Sequence, residues 1–587
     1  MESYDVVVVG AGIYGLAAAK TYHQLNQDKS VIILDADSTL GGVWAKDRLY
    51  PTLKTNNMLG TFEFPDFPMD SETFGVKPGD HIPGDVMHRY LTKYAEQFGI
   101  IDKIRYRTKV VVAERQDEIG TDSERGWKIT VSVENGVSEE KIFARRLIVA
   151  TGLTSEAFLP VFKGERDFEA PIFHTKDLHF HADDAVKCPT VFGGTKSAWD
   201  AVYSYATKGI KVNWVIRKSG HGPAWMSPPY VTPFKKWLEK LVNTRLLTWF
   251  SPCIWGDNDG YTRIRKFLHG TRIGRAITDF FWKTIGNDVL TLNKFNSHPE
   301  MKKLTPWYPA MFCGTSFSIL NYPTDFFELL RNGTVKIHIA DITGLSRHTV
   351  HLSDGTQLES DTICCATGWK HLPPIKFLPK GIDKELGLPH KPEEEGLFKS
   401  SLVERADEEI LSRFPRLKRQ PEENNRLKSL CESPGISSND DTNPYAPMTP
   451  YTLYHFIAPP SRRFLETKDV AFSGMVCNFS TILTAHIQGI WINAFFANKL
   501  PIDKSPDEIH YEAVLHARFG KWRYPGGHGA RQPDFVFDAV PYLDLLLRDL
   551  GLNTHRKEEA GWFTEVTDPY GAEDYKGLLV EWIENQK

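Results

Sequence analysis

Three glycines, Gly10, Gly12 and Gly15, follow directly on the hydrophobic run Val6-Val7-Val8-Val9, and a helix-forming stretch, Leu16-Ala17-Ala18-Ala19-Lys20, follows on them. The spacing G-x-G-x-x-G between a buried strand and a helix is chemistry for a pyrophosphate. Gly10 permits the tight turn, Gly12 lets the backbone approach the anion, and Gly15 lets the helix close on the strand, so the anion rests on the helix N-terminus. A second strand, Val31-Ile32-Ile33-Leu34, ends in Asp35, twenty residues past Gly15, where an acid can take a ribose hydroxyl. A glycine-rich turn that holds nothing needs neither the strand, the helix nor the acid.

A second turn of the same kind stands at Val191-Phe192-Gly193-Gly194-Thr195-Lys196-Ser197-Ala198. Gly193 is retained, while Thr195 and Ala198 replace the middle and last glycines. The residues stay small, so Gly193, Gly194, Lys196 and Ser197 are candidates to meet a second pyrophosphate. The following strand, Val212 to Ile216, ends in Arg217-Lys218, cations where the first unit has its acid. An acid there receives the ribose hydroxyl and a cation accommodates a 2′-phosphate, so the second nucleotide is expected to be NADP(H). Two solvated charges at a strand end would look the same.

The elements that must position these turns are strands read as continuous hydrophobic runs, which predicts an α/β fold with parallel sheets. Leu147-Ile148-Val149-Ala150-Thr151-Gly152 and Thr362-Ile363-Cys364-Cys365-Ala366-Thr367-Gly368 are two such strands, each ending in Ala-Thr-Gly. Helical spacing of Val86, Tyr90, Leu91, Tyr94 and Phe98 predicts a helix between Pro83 and Phe98, and the stretch from Tyr50 to Pro68 reads as an irregular loop rich in proline and aromatics. From about 220 to 321 the chain carries Trp225, Trp237, Trp249, Trp255, Trp282 and Trp307, a density that suits an apolar ligand pocket or ordinary packing.

The chain has 587 residues, more than one core, so several domains and clefts between them are expected. With 70 Lys and Arg against 74 Asp and Glu, and no basic tract among aromatics, nucleic acid is not an expected partner. The seven cysteines are scattered without C-x-x-C spacing, which argues for reduced thiols and against a metal site or a dithiol centre. Met1 leads straight into the first strand without a basic leader, and a cytoplasmic protein is expected. The apolar segments Leu246 to Trp255 and Ile482 to Phe496 are too short or too polar to span a bilayer; the first could touch a membrane surface or form a buried lid.

Between the two units lie Gly41-Gly42-Val43-Trp44, then Thr55-Asn56, then Phe64-Pro65-Asp66-Phe67-Pro68. In this order, after G-x-G-x-x-G and the acid, they resemble the flavin-containing monooxygenases and the related Baeyer–Villiger monooxygenases. The segment from Phe162 to Leu178 matches the fingerprint of that group in part, with Phe168, His174 and Thr175 present, and Ala170 and Leu178 in place of its glycine and aromatic. His174 is expected to act as a linker or hinge.

The resemblance implies two Rossmann-like domains, the second inserted in the first. An FAD-binding domain would span 1–158 and return at 451–510. An NADPH-binding domain would span 159–369, a charged surface insertion 370–450, and a helical extension 511–587. Gly10, Gly12, Gly15, Asp35, Gly42, Trp44, Thr55, Thr151 and Gly152 would hold FAD, and Gly193, Gly194, Lys196, Ser197, Arg217, Lys218, Thr367 and Gly368 would serve NADPH and the junction. The implied activity uses O2 and a flavin C4a-(hydro)peroxide to oxygenate a small organic substrate. Asn56, where Baeyer–Villiger enzymes generally have an aspartate, would face the peroxide and favours oxygenation of nitrogen or sulfur, or hydroxylation. Formation of an ester or lactone from a ketone is the alternative, and an oxidase or reductase, or a non-catalytic flavoprotein, are the others. The charged insertion and the tail resemble fungal members associated with secondary metabolism.

Overall fold

The computed structural model describes residues 1–117, 125–181, 186–231, 235–394, 396–441 and 443–587. The first valine run forms β1 (Glu2–Val9), and the alanine-rich stretch forms α1 (Ile13–Leu25), followed by β2 (Val31–Leu34). The stretch expected to be an irregular loop contains β3 (Lys54–Met58), paired antiparallel with β4 (His81–Pro83). Side chains close this ribbon: Thr55 Oγ1 accepts the Ile82 N–H at 3.0 Å, and the Asn321 amide donates to the carbonyls of Lys54 and Thr55. That is why no alternation of apolar residues announces it. The predicted helix is α2 (Gly84–Gln97), which buries Val86, Tyr90, Leu91 and Tyr94.

Next come β5 (Ile104–Arg105), β6 (Thr108–Gln116), β7 (Gly126–Val133) and β8 (Ser138–Val149). In space the order is β5-β2-β1-β8-β7-β6. The strands from β5 to β8 run parallel, and β7 forms antiparallel ladders with β8 and β6.

The second unit holds β9 (Ile172–His174), β10 (Pro189–Phe192), α3 (Lys196–Ala206) and β11 (Val212–Ile216). The aromatic stretch forms α4 (Thr262–Gly270) and α5 (Arg272–Asn293) before β12 (Val335–Ile339) and β13 (Thr362–Cys365) complete a five-stranded parallel sheet, ordered β9-β13-β10-β11-β12. Every residue of β10 and β13 is buried, Cys364 and Cys365 included, as continuous hydrophobic runs require. Most of the tryptophans from 220 to 321 are packing residues. The Trp225 indole donates to the Tyr308 carbonyl, Trp282 donates to Phe250, and Trp255 stacks among Phe535 and Tyr542. Of the segment Leu246 to Trp255, residues 251–255 are buried in that packing, while Leu246, Leu247 and Phe250 are half-buried.

The chain returns to the first sheet at β14 (Lys376–Leu378), parallel to β6 and well ahead of residue 451. The charged stretch that follows forms α6 (Ser400–Arg413), which buries Ala406 and Ile410. Part of its charge is engaged with neighbours, since Asp407 takes both the Arg518 guanidinium at 2.7 Å and the Trp522 indole and Arg413 meets Asp257 at 2.8 Å, while Glu404 and Glu408 are exposed. Its composition reads as solvated surface because ion pairs and solvent select the same residues. Then β15 (Val470–Phe472) pairs with the end of β8, and α7 (Thr481–Phe496) lies buried beside α1. The tail forms α8 (Pro506–Arg523), α9 (Ala539–Asp549) and α10 (Trp562–Thr567). It is tied to the aromatic stretch by Arg245, fully buried with Asp544 at 2.6 Å and Glu565. Among the described residues no helix is long and apolar enough to cross a membrane.

Candidate functional site

A cleft of about 510 Å³ opens where β1, β2 and β8 end. Gly10, Gly12, Asp35, Gly42, Thr151 and Gly152 line it, joined from the far end of the chain by Gly474, Asn478 and Thr481. Gly10 has φ +106°, and a Cβ there would lie 2.5 Å from the Ala150 carbonyl oxygen, so only glycine lets β1 turn against β8. Gly15 stands behind this wall, against the Gly10 carbonyl, and packs α1 onto the turn. No side chain caps α1 at Gly12, which leaves its first-turn N–H groups for an anion.

Asp35 accepts the Ala11 N–H at 2.5 Å and the Asp37 N–H at 2.8 Å, so it braces the glycine turn while facing the cleft. Burial pushes its carboxyl up to about 6, although both amides pull it down. The Thr151 hydroxyl is buried on the cleft wall without a hydrogen-bond partner among the described residues. A glycine cradle, an open helix N-terminus, an acid and an orphaned hydroxyl fit the flavin dinucleotide that the sequence implies. Trp44 and Thr55 are not among the lining residues. The Trp44 carbonyl accepts from His88 Nδ1, and Thr55 holds β3 to β4.

Three cations of the cleft escaped sequence reasoning: Arg48, Lys109 and Lys176. Arg48 donates to the Thr154 carbonyl at 3.2 Å and lies 5.4 Å from the Trp369 ring, and Lys176 donates to the Ser155 carbonyl. Lys109 lies on β6, and Arg48 and Lys176 lie in single 3-10 turns, and a lone cation in such a place follows no spacing rule.

Asn56 sits half-buried on β3, outside the lining of the cleft, and its side chain makes no hydrogen bond among the described residues. Its neighbours are clamped. Asn57 donates to the Phe479 carbonyl at 3.3 Å, beside the cleft residue Asn478. Glu239, fully buried, accepts the Met58 N–H at 2.9 Å, the Trp237 indole N–H at 2.7 Å and the Thr61 hydroxyl at 3.2 Å, while its other oxygen has no partner among the described residues. Burial pushes the Glu239 carboxyl up to about 7. Nothing in its sequence context marks it out.

The second turn repeats the first. Gly193 has φ +134°, and a Cβ would lie 2.6 Å from the Ala366 carbonyl oxygen, as at Gly10 and Ala150. Gly194 is pressed against Gly222, Ser197 is the second residue of α3, and Lys196, the first, pairs with Asp200 one turn along that helix. At the end of β11, Lys218 is exposed, whereas Arg217 donates to the Lys428 carbonyl at 2.8 Å and the Ser219 hydroxyl at 3.0 Å.

Thr367 differs from Thr151, since its hydroxyl donates to the Phe158 carbonyl at 2.6 Å and its carbonyl accepts from Tyr445. The Gly368 carbonyl accepts the Phe158 N–H, so this second Ala-Thr-Gly fastens the linker between the units. His174 lies there too, edge-on to Trp369, with burial lowering its pKa to about 4. Away from both turns, His455, Glu512 and His516 converge. His516 accepts the Trp255 indole N–H at 3.3 Å and Glu512 pairs with Lys504, so both are already engaged.

The family described as pyridine nucleotide-disulphide oxidoreductase matches residues 7–249. The FAD-dependent monooxygenase rstn6 of Aspergillus nomiae is 32% identical over 602 residues, covering 99% of this chain and 98% of that one. The FAD-dependent monooxygenase resA of Aspergillus sclerotiorum is 33% identical over 608 residues, covering 100% and 99%. Among solved structures, cyclohexanone monooxygenase from Rhodococcus sp. Phi1 bound to NADP+ aligns with a TM-score of 0.57 at 14% identity, covering 100% of this chain and 98% of that one. The polycyclic ketone monooxygenase of Thermothelomyces thermophila aligns at 0.58 and 13%, covering 93% and 88%. Identity of about one third over the whole length, on a fold with two nucleotide-binding turns, establishes that the chain belongs to the FAD-dependent monooxygenases of the class B flavoprotein group.

Proposed function

We propose that the chain oxidises NADPH and places one oxygen atom of O2 on a nitrogen, sulfur or carbon of a small secondary metabolite, releasing the other as water. The observation that carries the NADPH reading is the contrast between the two units: β2 ends in Asp35 and β11 ends in Arg217 and Lys218, of which Lys218 is exposed. The NADP+ of the Rhodococcus enzyme agrees with it.

FAD, when bound and reduced, supplies the activation of O2. Gly10, Gly12 and the start of α1 would receive its pyrophosphate, Asp35 a ribose hydroxyl, and Thr151 a further polar group. Asn56 is a neutral donor on a clamped strand, which favours oxygenation of a nucleophilic nitrogen or sulfur over attack on a ketone.

Anaerobic mixing with NADPH or NADH, read by flavin absorbance, tests the first half. Faster reduction by NADPH supports it, and equal rates overturn it. Turnover under 18O2 with thioanisole and cyclohexanone tests the second. Labelled sulfoxide is expected, labelled lactone would reverse the preference, and hydrogen peroxide without labelled product would make the protein an oxidase.

A further inference from the structure

The helix α5 is turned inside out. Its inward side carries Gly274, Thr278, Gly286 and Asn293 beside Trp282 and Val289. Its outward side carries Ile273, Ile277 and Phe280, exposed by 68%, 42% and 72%. These three recur at i, i+4 and i+7 and so share one face. A helix that hides glycine, threonine and asparagine while showing isoleucine and phenylalanine to water is built to be covered.

The neighbouring α4, which packs on α5, adds Phe267, 45% exposed. Leu268 of α4 shares an apolar cluster with Val566 of α10, and α10 exposes Trp562 and Phe563. Aromatics at the edge of an apolar face are the residues that settle at a lipid headgroup boundary.

Charge identifies the cover. Arg263 and Lys266 on α4 and Arg272 and Lys283 on α5 are exposed, and neither helix has an exposed acid among the described residues. Asp279, half-buried, is paired with Arg416 at 2.5 Å, and Asp288 is half-buried. A second copy of the chain meeting this face about a twofold axis would set these cations against their own counterparts. An anionic lipid surface meets both the apolar stripe and the cations around it.

We propose that α4 and α5 dock the protein on an anionic membrane surface, with Phe267, Ile273, Ile277 and Phe280 at the headgroup–acyl boundary and the flanking cations against lipid charges. Docking of this kind lies on the bilayer without spanning it. It is independent of which substrate the flavin site serves.

The test is co-sedimentation of the full-length, FAD-loaded protein with vesicles of phosphatidylcholine, with or without about one third phosphatidylserine. Binding to the mixed vesicles is expected to be at least about tenfold tighter than to phosphatidylcholine alone, and to weaken with added salt. Ile277→Ser with Phe280→Ser, and separately Arg272→Glu with Lys283→Glu, should each weaken it by at least about tenfold, with flavin content and melting temperature unchanged because these side chains are exposed. Absence of vesicle binding overturns the proposal. So does equal binding to both vesicle types, or binding that neither double variant reduces. A dimer in sedimentation velocity that Ile277→Ser with Phe280→Ser dissociates, without vesicle binding, would show that a second copy covers this face.

Discussion

Glu239 accepts the backbone N–H of Met58 at 2.9 Å, so a carboxyl from the aromatic stretch fixes the strand that carries Asn56. Its second oxygen is buried without a partner among the described residues, and burial raises its pKa from the ordinary glutamate value to about 7. The folded state therefore holds a proton that the unfolded state releases at lower pH. Stability from this group is full below about pH 4.5 and is lost as pH rises through about 7, by about 3 kcal/mol in all. Glu239→Gln keeps an acceptor for Met58 and removes the titration. Denaturation curves of the two proteins between pH 5 and 8 should converge toward the acid side, with the variant gaining on the wild type as pH rises. A constant difference across that range would mean that Glu239 does not titrate there.

Thr151 offers the cleanest test of the proposed flavin cradle, since its hydroxyl has no partner among the described residues. Thr151→Val keeps the shape and removes only the hydroxyl. Flavin affinity should fall by about 1 kcal/mol, a factor of about five, while the melting temperature of flavin-free protein stays the same or rises. Fluorescence titration with FAD measures the first, and calorimetry the second.

The parts of this site that follow a backbone rule were legible in the sequence. Gly10 and Gly193 each answer a carbonyl that leaves no room for a Cβ, and such a constraint writes itself as a glycine at fixed spacing. Side-chain roles set by distant partners were not legible. Arg217 stands at a strand end as expected, yet its guanidinium holds the carbonyl of Lys428, more than two hundred residues away. Thr367 and Thr151 are the central residues of identical Ala-Thr-Gly tripeptides, but only the structure tells that one hydroxyl is engaged and that the other has no partner among the described residues. Likewise β3 is closed by Thr55 and Asn321, and neither carries a strand signal.

Arg217 and Lys218 should separate when replaced one at a time. Lys218 is exposed, so Lys218→Ala should raise KM for NADPH about tenfold, leave NADH unaffected and leave stability unchanged. Arg217→Ala should weaken NADPH too, but should also release the 428–433 segment and cost about 1 to 3 kcal/mol. Flavin reduction rates with each nucleotide, beside urea denaturation, distinguish the two.

Arg245 is the fastening between the aromatic stretch and the tail. It is fully buried, with Asp544 at 2.6 Å and Glu565 as its charged partners. Arg245→Leu leaves two buried carboxyls facing no cation, and unfolding free energy should drop by about 3 to 5 kcal/mol. Asp544→Asn introduced with it should recover part of that loss. If the single variant unfolds at the wild-type urea midpoint, the ion pairs contribute nothing to holding the tail.

Asn56 stands unpartnered among the described residues, in the middle of a strand whose neighbouring residues are held: Thr55 by Ile82, Asn57 by Phe479, Met58 by Glu239. Clamping of the neighbours fixes the backbone from which this amide projects and leaves its own donors unused. Removing one such donor from a reacting centre costs about a hundredfold in rate. With thioanisole as substrate, Asn56→Ala should therefore lower sulfoxide formed per NADPH consumed by one to two orders of magnitude, with hydrogen peroxide rising to match. Reduction of the flavin by NADPH should proceed at the wild-type rate, because that step precedes any use of oxygen. Asn56→Asp keeps the shape but replaces the donor by a charge, and it should not rescue the sulfoxide yield. A coupling ratio left intact by Asn56→Ala would remove this residue from oxygen transfer and reduce it to a part of the ribbon between β3 and β4.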